Sequence, residues 1–234
     1  MHIFDLGINN GDDTEYYLKL GYKVVALDAD PFSIDLSRKR FQKEITSQNL
    51  ILINRAFASE TKPLDFYVNK TNSHWSSVNL KWASREQSIV QKIEVEGITL
   101  KELFETYGVP HFIKIDIEGS DLEVLKQLQR EPASPPYISI EDCHLGYEYL
   151  RLLKDIGYKK FCISDQSRVQ FLKSNVKGHS FPAGSSGPFG PYLPFRWFFW
   201  QEFIELYSEF VRGKDRERIA PLPTWWDIHA TTDL

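Results

Sequence analysis

Between Asp5 and Asp28 the chain spaces its acids, glycines and asparagines as a nucleoside-bearing ligand would need them. Asp5, Gly7, Asn9, Asn10 and Gly11 fall in and around one short turn, and Asp28 stands at the end of the next apolar run. Glycines let backbone approach a ligand, and an acid about 20 residues on accepts hydrogen bonds from both ribose hydroxyls. The turn departs from a dinucleotide fingerprint. Asn9 occupies the position where pyrophosphate needs bare backbone, and Asp5 and Asp12 flank it with negative charge. Phosphate is repelled there. S-adenosylmethionine carries a sulfonium, an ammonium and a ribose but no phosphate, and so fits better than NAD or FAD. The plain alternative is an empty strand-helix-strand unit whose Gly7 and Gly11 only make a turn. Asp28 argues against it.

A second group of reactive side chains lies in the run from Phe112 to Glu118, where Lys114, Asp116 and Glu118 alternate with Ile113, Ile115 and Ile117. Charges on one face of a central strand are costly unless paired or used. A Lys114–Asp116 ion pair is the plain reading, and a ligand site at the strand's carboxyl end is the functional one. Glu141, Asp142, Cys143 and His144 end a later apolar run. Glu141 and His144, facing Asp116 and Glu118, are candidate bases toward a hydroxyl acceptor. The same acids offer oxygen ligands to a divalent cation, the less favoured use, and no metal ligand is assigned. Asp142 is equally placed to cap the helix that follows. Ala29 and Ala56, each just past an apolar run, are candidate cofactor contacts. His74 and Trp75, in a polar segment at 69–88 read as a loop folding over a ligand, and His229 near the chain end are candidate acceptor contacts.

Positioning these residues requires strands and helices in alternation. Apolar runs at 3–6, 23–27, 50–53, 112–117 and 137–140 read as buried strands, with weaker ones at 64–68 and 92–95. Pro31 opens a helix with Phe32, Ile34, Leu36 and Phe41 as its apolar residues and Arg38, Lys39, Arg40 and Lys43 as a solvated face. Residues 99–107 and 146–156 read as amphipathic helices, and Ser120 with Glu123 as a capping box for another. Residues 157–163 and 168–172, around Asp165-Gln166-Ser167, read as an antiparallel terminal hairpin. The expected fold is an α/β, doubly wound Rossmann-like sheet over residues 1–176. From 177 to 234 the composition shifts to Gly, Pro, Ser and aromatics, an extension expected to pack on the same domain, with a helix at 195–211. Its aromatic faces suit an acceptor lid better than a self-association face or a membrane-surface helix, whose polar side would not carry Glu202, Glu205 and Glu209.

Bulk composition narrows the classes. Hydrophobic residues at 42% and charged residues at 26% are ordinary for a globular protein with a sizeable core, and a net charge of −4 without a basic block points away from nucleic acid. No apolar run approaches the roughly 18 residues a membrane span requires. The first strand begins at His2, which leaves no room for a leader and predicts a cytoplasmic chain. Cys143 and Cys162 are too few for a disulfide framework and are expected to be reduced, buried and inert.

With those segments placed, the chain resembles FkbM-type methyltransferases. The resemblance rests on IFDLGINNGDDT followed by VVALDADP, on ITLKELFETYGVPHFIKIDIEGSDLEVLKQL, and on the later YISIED and LRLLKDIGYKKF, across roughly residues 2–165; the closing WWDIHA is similar to C-terminal segments of some members. It implies methyl transfer from S-adenosylmethionine, usually to a hydroxyl of a sugar, glycan or other natural-product scaffold. Carried over by position, Asp5, Gly7, Asn9 and Gly11 line the methionine end, Asp28 holds the ribose, and Asp116 and Glu118 lie beside the transferring methyl. Aspartate at 28 replaces the more usual glutamate and demands a closer approach. With no helical segment before the first strand, acceptor recognition is expected from 69–88 and the aromatic tail. Two other classes remain in view: a non-catalytic cofactor-binding module with a partner-docking tail, and a nicotinamide-linked oxidoreductase.

Overall fold

The computed structural model describes residues 1–233. Its elements alternate along the chain: β1 (His2–Leu6), α1 (Asp12–Lys19), β2 (Lys23–Asp28), α2 (Pro31–Arg40), α3 (Gln42–Thr46), β3 (Leu50–Asn54), β4 (Ala56–Phe57), β5 (Pro63–Asn69), α4 (Leu80–Ala83) and β6 (Val90–Ile98). There follow α5 (Leu100–Tyr107), β7 (Phe112–Ile115), α6 (Asp121–Leu128), β8 (Tyr137–Glu141), α7 (Gly146–Ile156), β9 (Lys160–Asp165), β10 (Phe198–Phe199), α8 (Trp200–Phe210) and β11 (Trp226–Thr231). The main sheet has eight strands in the order β10-β9-β11-β8-β7-β1-β2-β3. β3, β2, β1, β7 and β8 run parallel, and β11 is antiparallel to both of its neighbours. This is the doubly wound Rossmann-like α/β arrangement, with the carboxyl ends of β1, β2 and β7 opening on one edge.

Apolar side chains divide between the two faces. Phe4, Leu6, Ile113, Ile115, Ile138 and Ile140 pack under α5, α6, α7 and α8. Ile3, Val24, Ala26 and Phe112 pack under α1 and α2 together with Val169 and with Phe181 and Phe189 from the C-terminal segment. The residues after 177 are therefore woven into this fold. Phe203 and Tyr207, expected among lid aromatics, are core residues, and β11 sits inside the sheet.

Several local expectations are corrected. No terminal hairpin forms: 168–172 lies in a short 3₁₀ segment and the turn after it, and β9 takes β11 as its antiparallel partner. Pairing with a strand about 60 residues away leaves no local signature, unlike a hairpin turn. On α2 the inward stripe is Ile34, Ser37 and Phe41, spaced three and four apart, so Phe32 and Leu36 fall on the outer side. Arg40 does not merely face solvent; it donates to the Asn10 carbonyl at 2.6 Å and pairs with Asp12 and Glu15. The Ser120 side chain makes no capping bond at α6; Asp121 instead accepts the backbone N–H of Ile117 and Gly119. The expected 195–211 helix begins only at Trp200.

The segment at 69–88 is a built wall rather than a plain loop. The antiparallel pair β5–β6 carries it, and it contains two 3₁₀ turns and α4, which Asn79 caps by accepting the N–H of Lys81 and Trp82. Buried Asn69 donates to the Ala83 carbonyl at 2.7 Å and accepts from the N–H of Thr71 and Asn72. Its amide is thus committed to the fold.

Asp142 is not a helix cap. It is buried against Arg212, whose Nη2 lies 2.8 Å from Oδ2, and it accepts from the Tyr207 hydroxyl, fastening the end of α8 to the end of β8. Arg212→Met leaves that carboxylate buried without its cation and is expected to cost about 3–5 kcal/mol in urea denaturation. Replacing Asp142 with Leu in the same variant should recover most of the loss.

Candidate active site

The glycine turn leaves β1 at Gly7, whose φ of +95° favours glycine. A side chain there would place its Cβ 1.9 Å from the Asp116 carbonyl oxygen, so Gly7 lets the ends of β1 and β7 close together. Asn9 follows with φ of +45°, and Gly11 seats the start of α1 against the Phe41 ring. The acids Asp12, Asp13 and Glu15 in the first turn of α1 suit the positive end of the helix dipole and repel phosphate.

This turn and the ends of β2 and β7 border a crevice with roughly 580 Å³ of open space. Gly7, Asn9, Asp28, Ala29, Ala56, His74, Asp116 and Glu118 all line it. Asp28 accepts the Asn9 N–H on Oδ2 and the Asp30 N–H on Oδ1, each at 2.9 Å. Each oxygen keeps capacity for one more donor, which is what a pair of ribose hydroxyls requires. Burial pushes the Asp28 carboxyl up to about 6. On the outer side the Asn9 amide meets His74 Nδ1 at 2.9 Å and accepts from Ser73 Oγ at 3.4 Å, so the 73–75 turn closes over the glycine turn.

Beneath this floor lies a buried ion cluster. Lys114 Nζ stands 3.3 Å from Asp116, 3.6 Å from Asp5 and 3.7 Å from Asp13. Burial acts to lower the Lys114 pKa, but the surrounding acids more than offset it and hold the ammonium well above its ordinary range. The plain ion pair with Asp116 is thus present, widened to three acids.

A second cavity, with about 1110 Å³ of open space, adjoins the first and shares Glu118 with it. Lys81, Trp82, Arg85, Glu141, Cys143, His144 and Tyr149 are among its lining. Glu118 turns at φ of +48° and is held by Trp82 Nε1 at 2.5 Å and by both Arg85 Nη atoms at 2.9 and 3.1 Å. Arg85 Cζ itself lies over the rings of Trp75 and Trp82, 4.7 and 5.5 Å from their centres. One oxygen each of Asp116, Glu118 and Glu141 comes within 4.8 Å of the others where the cavities meet. Burial, then the nearby Asp116 and Glu118, raise Glu141 well above the carboxylate range, and no protein group hydrogen-bonds its side chain among the described residues.

Other sequence-selected residues lie elsewhere. Asp5 is fully buried beneath the crevice, accepting from Thr14 at 2.6 Å. Asn10 turns outward to Asp12, and Gly11 meets Phe41 instead of the crevice. Trp75 acts behind the wall by stacking on Arg85. His229, expected at the acceptor, is only 1% exposed within the sheet, where Nε2 lies 2.8 Å from Ser164 Oγ, and burial depresses its pKa to about 3. It cannot touch an acceptor. Both cysteines are free; Cys162 is buried, while Cys143 is half-buried in the second cavity, where burial raises its thiol to about 11. Trp82 and Arg85 also belong to the site; in the sequence they show only as a tryptophan and the single arginine of an otherwise polar segment at 69–88.

The family model of the methyltransferase FkbM domain matches residues 5–160, a span that contains the glycine turn, Asp28 and the Asp116–Glu118 strand end. The chain belongs to the FkbM methyltransferase family. Its fold is similar to the methyltransferase FkbM from Methylobacillus flagellatus, at 16% identity and a TM-score of 0.46, over 70% of this chain and 39% of that one. This FkbM chain therefore spans about two fifths of that relative. It is also similar to a precorrin-6y C5,15-methyltransferase from Geobacter metallireducens, at 12% identity and a TM-score of 0.44, over 100% of this chain and 80% of that one. No curated protein matches it in sequence. No helix among the described residues is long and apolar enough to cross a membrane.

Membership of the family implies S-adenosylmethionine, and the crevice suits it: two free acceptor positions on Asp28 for a ribose and acids where a phosphate would be repelled. Asp28→Asn turns an amide donor toward one of the two N–H groups, that of Asn9 or that of Asp30, and is expected to weaken S-adenosylhomocysteine binding by about 2 kcal/mol, roughly 30-fold, by calorimetry. The ionised carboxylate is the form that accepts both hydroxyls. Affinity should therefore be full above pH 6 and fall as pH drops through about 6, and Asp28→Asn should lose that dependence.

Proposed function

We propose that the protein is an S-adenosylmethionine-dependent O-methyltransferase acting on a hydroxyl of a sugar, glycan or other natural-product scaffold. The observation that carries this reading is the junction of the two cavities at Asp116, Glu118 and Glu141. The first cavity suits the methyl donor and the second its acceptor. When bound, S-adenosylmethionine supplies an electrophilic methyl group on a sulfonium that leaves as a neutral thioether.

The protein's own residues then have two tasks. The first is alignment, because in-line displacement needs the acceptor oxygen held opposite the leaving sulfur. Trp82 and His144, with ring centres 5.8 Å apart, offer flat surfaces at the second cavity that suit the C–H face of a sugar ring. The second task is proton removal, because an alcohol is a weak nucleophile until a base takes its hydrogen. Asp116 is turned toward Lys114, and Glu118 is occupied by Arg85 and Trp82. Glu141 has no such partner among the described residues, and its free oxygens are assigned to accept the acceptor's proton. Its role displaces Asp116 and Glu118 as first candidates.

Supplying S-adenosylmethionine and a panel of glycosides should yield a product heavier by one methylene unit, read by mass spectrometry. Glu141→Gln should keep S-adenosylhomocysteine affinity within about twofold and lower turnover by about 10²–10⁴. Turnover unchanged in that variant contradicts the assignment. Calorimetry showing NAD bound in preference to S-adenosylhomocysteine contradicts the whole reading.

A further inference from the structure

We propose that an outer stripe formed by Arg168, Phe171, Lys173 and Lys177 docks this protein on an anionic lipid surface. Phe171 enters at headgroup depth, and the three cations meet the lipid phosphates. The stripe lies outside both cavities described above, so the inference does not rest on the methyl-transfer reading.

The first observation concerns charge. The chain carries a net charge of −4, yet no Asp or Glu occurs between Asp165 and Glu202, where Arg168, Lys173, Lys177 and Arg196 stand. Arg196 is taken up by Glu202, whereas Arg168, Lys173 and Lys177 form no ion pair among the described residues. Asp165, just before the stripe, is turned to the N–H and hydroxyl of Ser167. Three cations are thus left facing water on an otherwise acidic chain.

The second observation is how the backbone presents them. Gln166–Phe171 is a 3₁₀ turn, in which side chains three residues apart eclipse one another. Gln166 and Val169 are accordingly buried together, and Arg168 and Phe171 share the outer side. Beyond the turn, Leu172, Ser174 and Val176 are partly buried while Lys173, Asn175 and Lys177 are exposed, so the outer side continues to Lys177. The inner residues anchor the stripe. Val169 packs with Phe181 and Phe189, Leu172 and Val176 lie against the same cluster, and a Cβ at Gly187 would come 2.6 Å from Val169 Cγ1.

The third is Phe171 itself, a phenyl ring 78% exposed on an anchored turn. Such a ring gains free energy from any apolar surroundings that take it out of water. It protrudes instead of lining a concave pocket, which suits entry between lipid headgroups better than capture of a peptide. Flanking cations supply the attraction to anionic headgroups, each strengthening binding about fivefold. The docking face is therefore the turn after β9 and not α8, whose outer side carries Glu202, Glu205 and Glu209.

The test is co-sedimentation of the whole chain with phosphatidylcholine vesicles containing about 30% phosphatidylglycerol in ~0.1 M salt. The chain should sediment with these vesicles, stay free with pure phosphatidylcholine, and be released by about 0.5 M salt. Phe171→Ser should weaken the partition about tenfold. Lys173→Gln with Lys177→Gln should weaken it by about 20-fold. Lys39→Gln with Lys43→Gln, exposed residues on and beyond α2, changes net charge equally and should leave it within about twofold. Unchanged thermal unfolding, followed by circular dichroism, shows that each variant is folded. No sedimentation with the anionic vesicles overturns the proposal, and so does sedimentation that the stripe variants leave unchanged. An equal loss in the α2 pair marks net charge instead of this stripe and overturns it too. Equally tight binding to soluble dextran sulfate, unaffected by Phe171→Ser, marks a site for dissolved polyanions and likewise overturns it.

Discussion

The buried Lys114 ammonium is the interaction on which the rest of the arrangement depends. An ammonium taken out of water costs several kcal/mol unless acids surround it, and here they come from three separate elements: Asp5 from β1, Asp13 from α1 and Asp116 from the end of β7. Its Nζ also reaches toward the Gly7 carbonyl at 3.4 Å. One charge therefore fixes where β1 ends, how α1 begins and which way Asp116 turns. Gly7 allows the close approach that follows, because any side chain there would strike the Asp116 backbone. The crevice lined by Gly7, Asp28 and Asp116 is the upper surface of that cluster.

The wall over the crevice is held by what it covers. Its 73–75 turn bonds Asn9 of the glycine turn, and its Ser77, Trp82 and Arg85 bond the backbone and side chain of Glu118. Glu118 thus belongs to both cavities and to the partition between them. Asp116 would otherwise push it away, and the Trp75 and Trp82 rings that Arg85 lies over help hold the compensating cation in place. Electrostatics at the reacting centre and the position of the wall are therefore the same problem.

What could be read in the sequence was local. The first strand-helix-strand unit announces itself by period and by Asp28 at a fixed distance from the glycines, and the Lys114–Glu118 alternation marks a strand end under charge. Residue identity at one position does not reveal a partner far along the chain. His229 and Asp227 sit two residues apart on one strand, yet one is sealed in the sheet and the other lies behind Glu141, because β11 inserts between β8 and β9. Asp142 stands where a helix cap would, and only the fold brings Arg212 to it from 70 residues away. The α2 stripe differs from the apolar pattern for a simpler reason: Phe32 and Leu36 are apolar, but they stand on the outer side of a 3.6-residue turn.

Where a methyl donor's sulfur lies is the deciding measurement. A crystal structure of the chain with S-adenosylhomocysteine should place both ribose hydroxyls within hydrogen-bond distance of Asp28 and the sulfur at the Asp116–Glu118–Glu141 junction, facing the second cavity. A ligand bound elsewhere, or one whose sulfur points away from those three carboxylates, would contradict it.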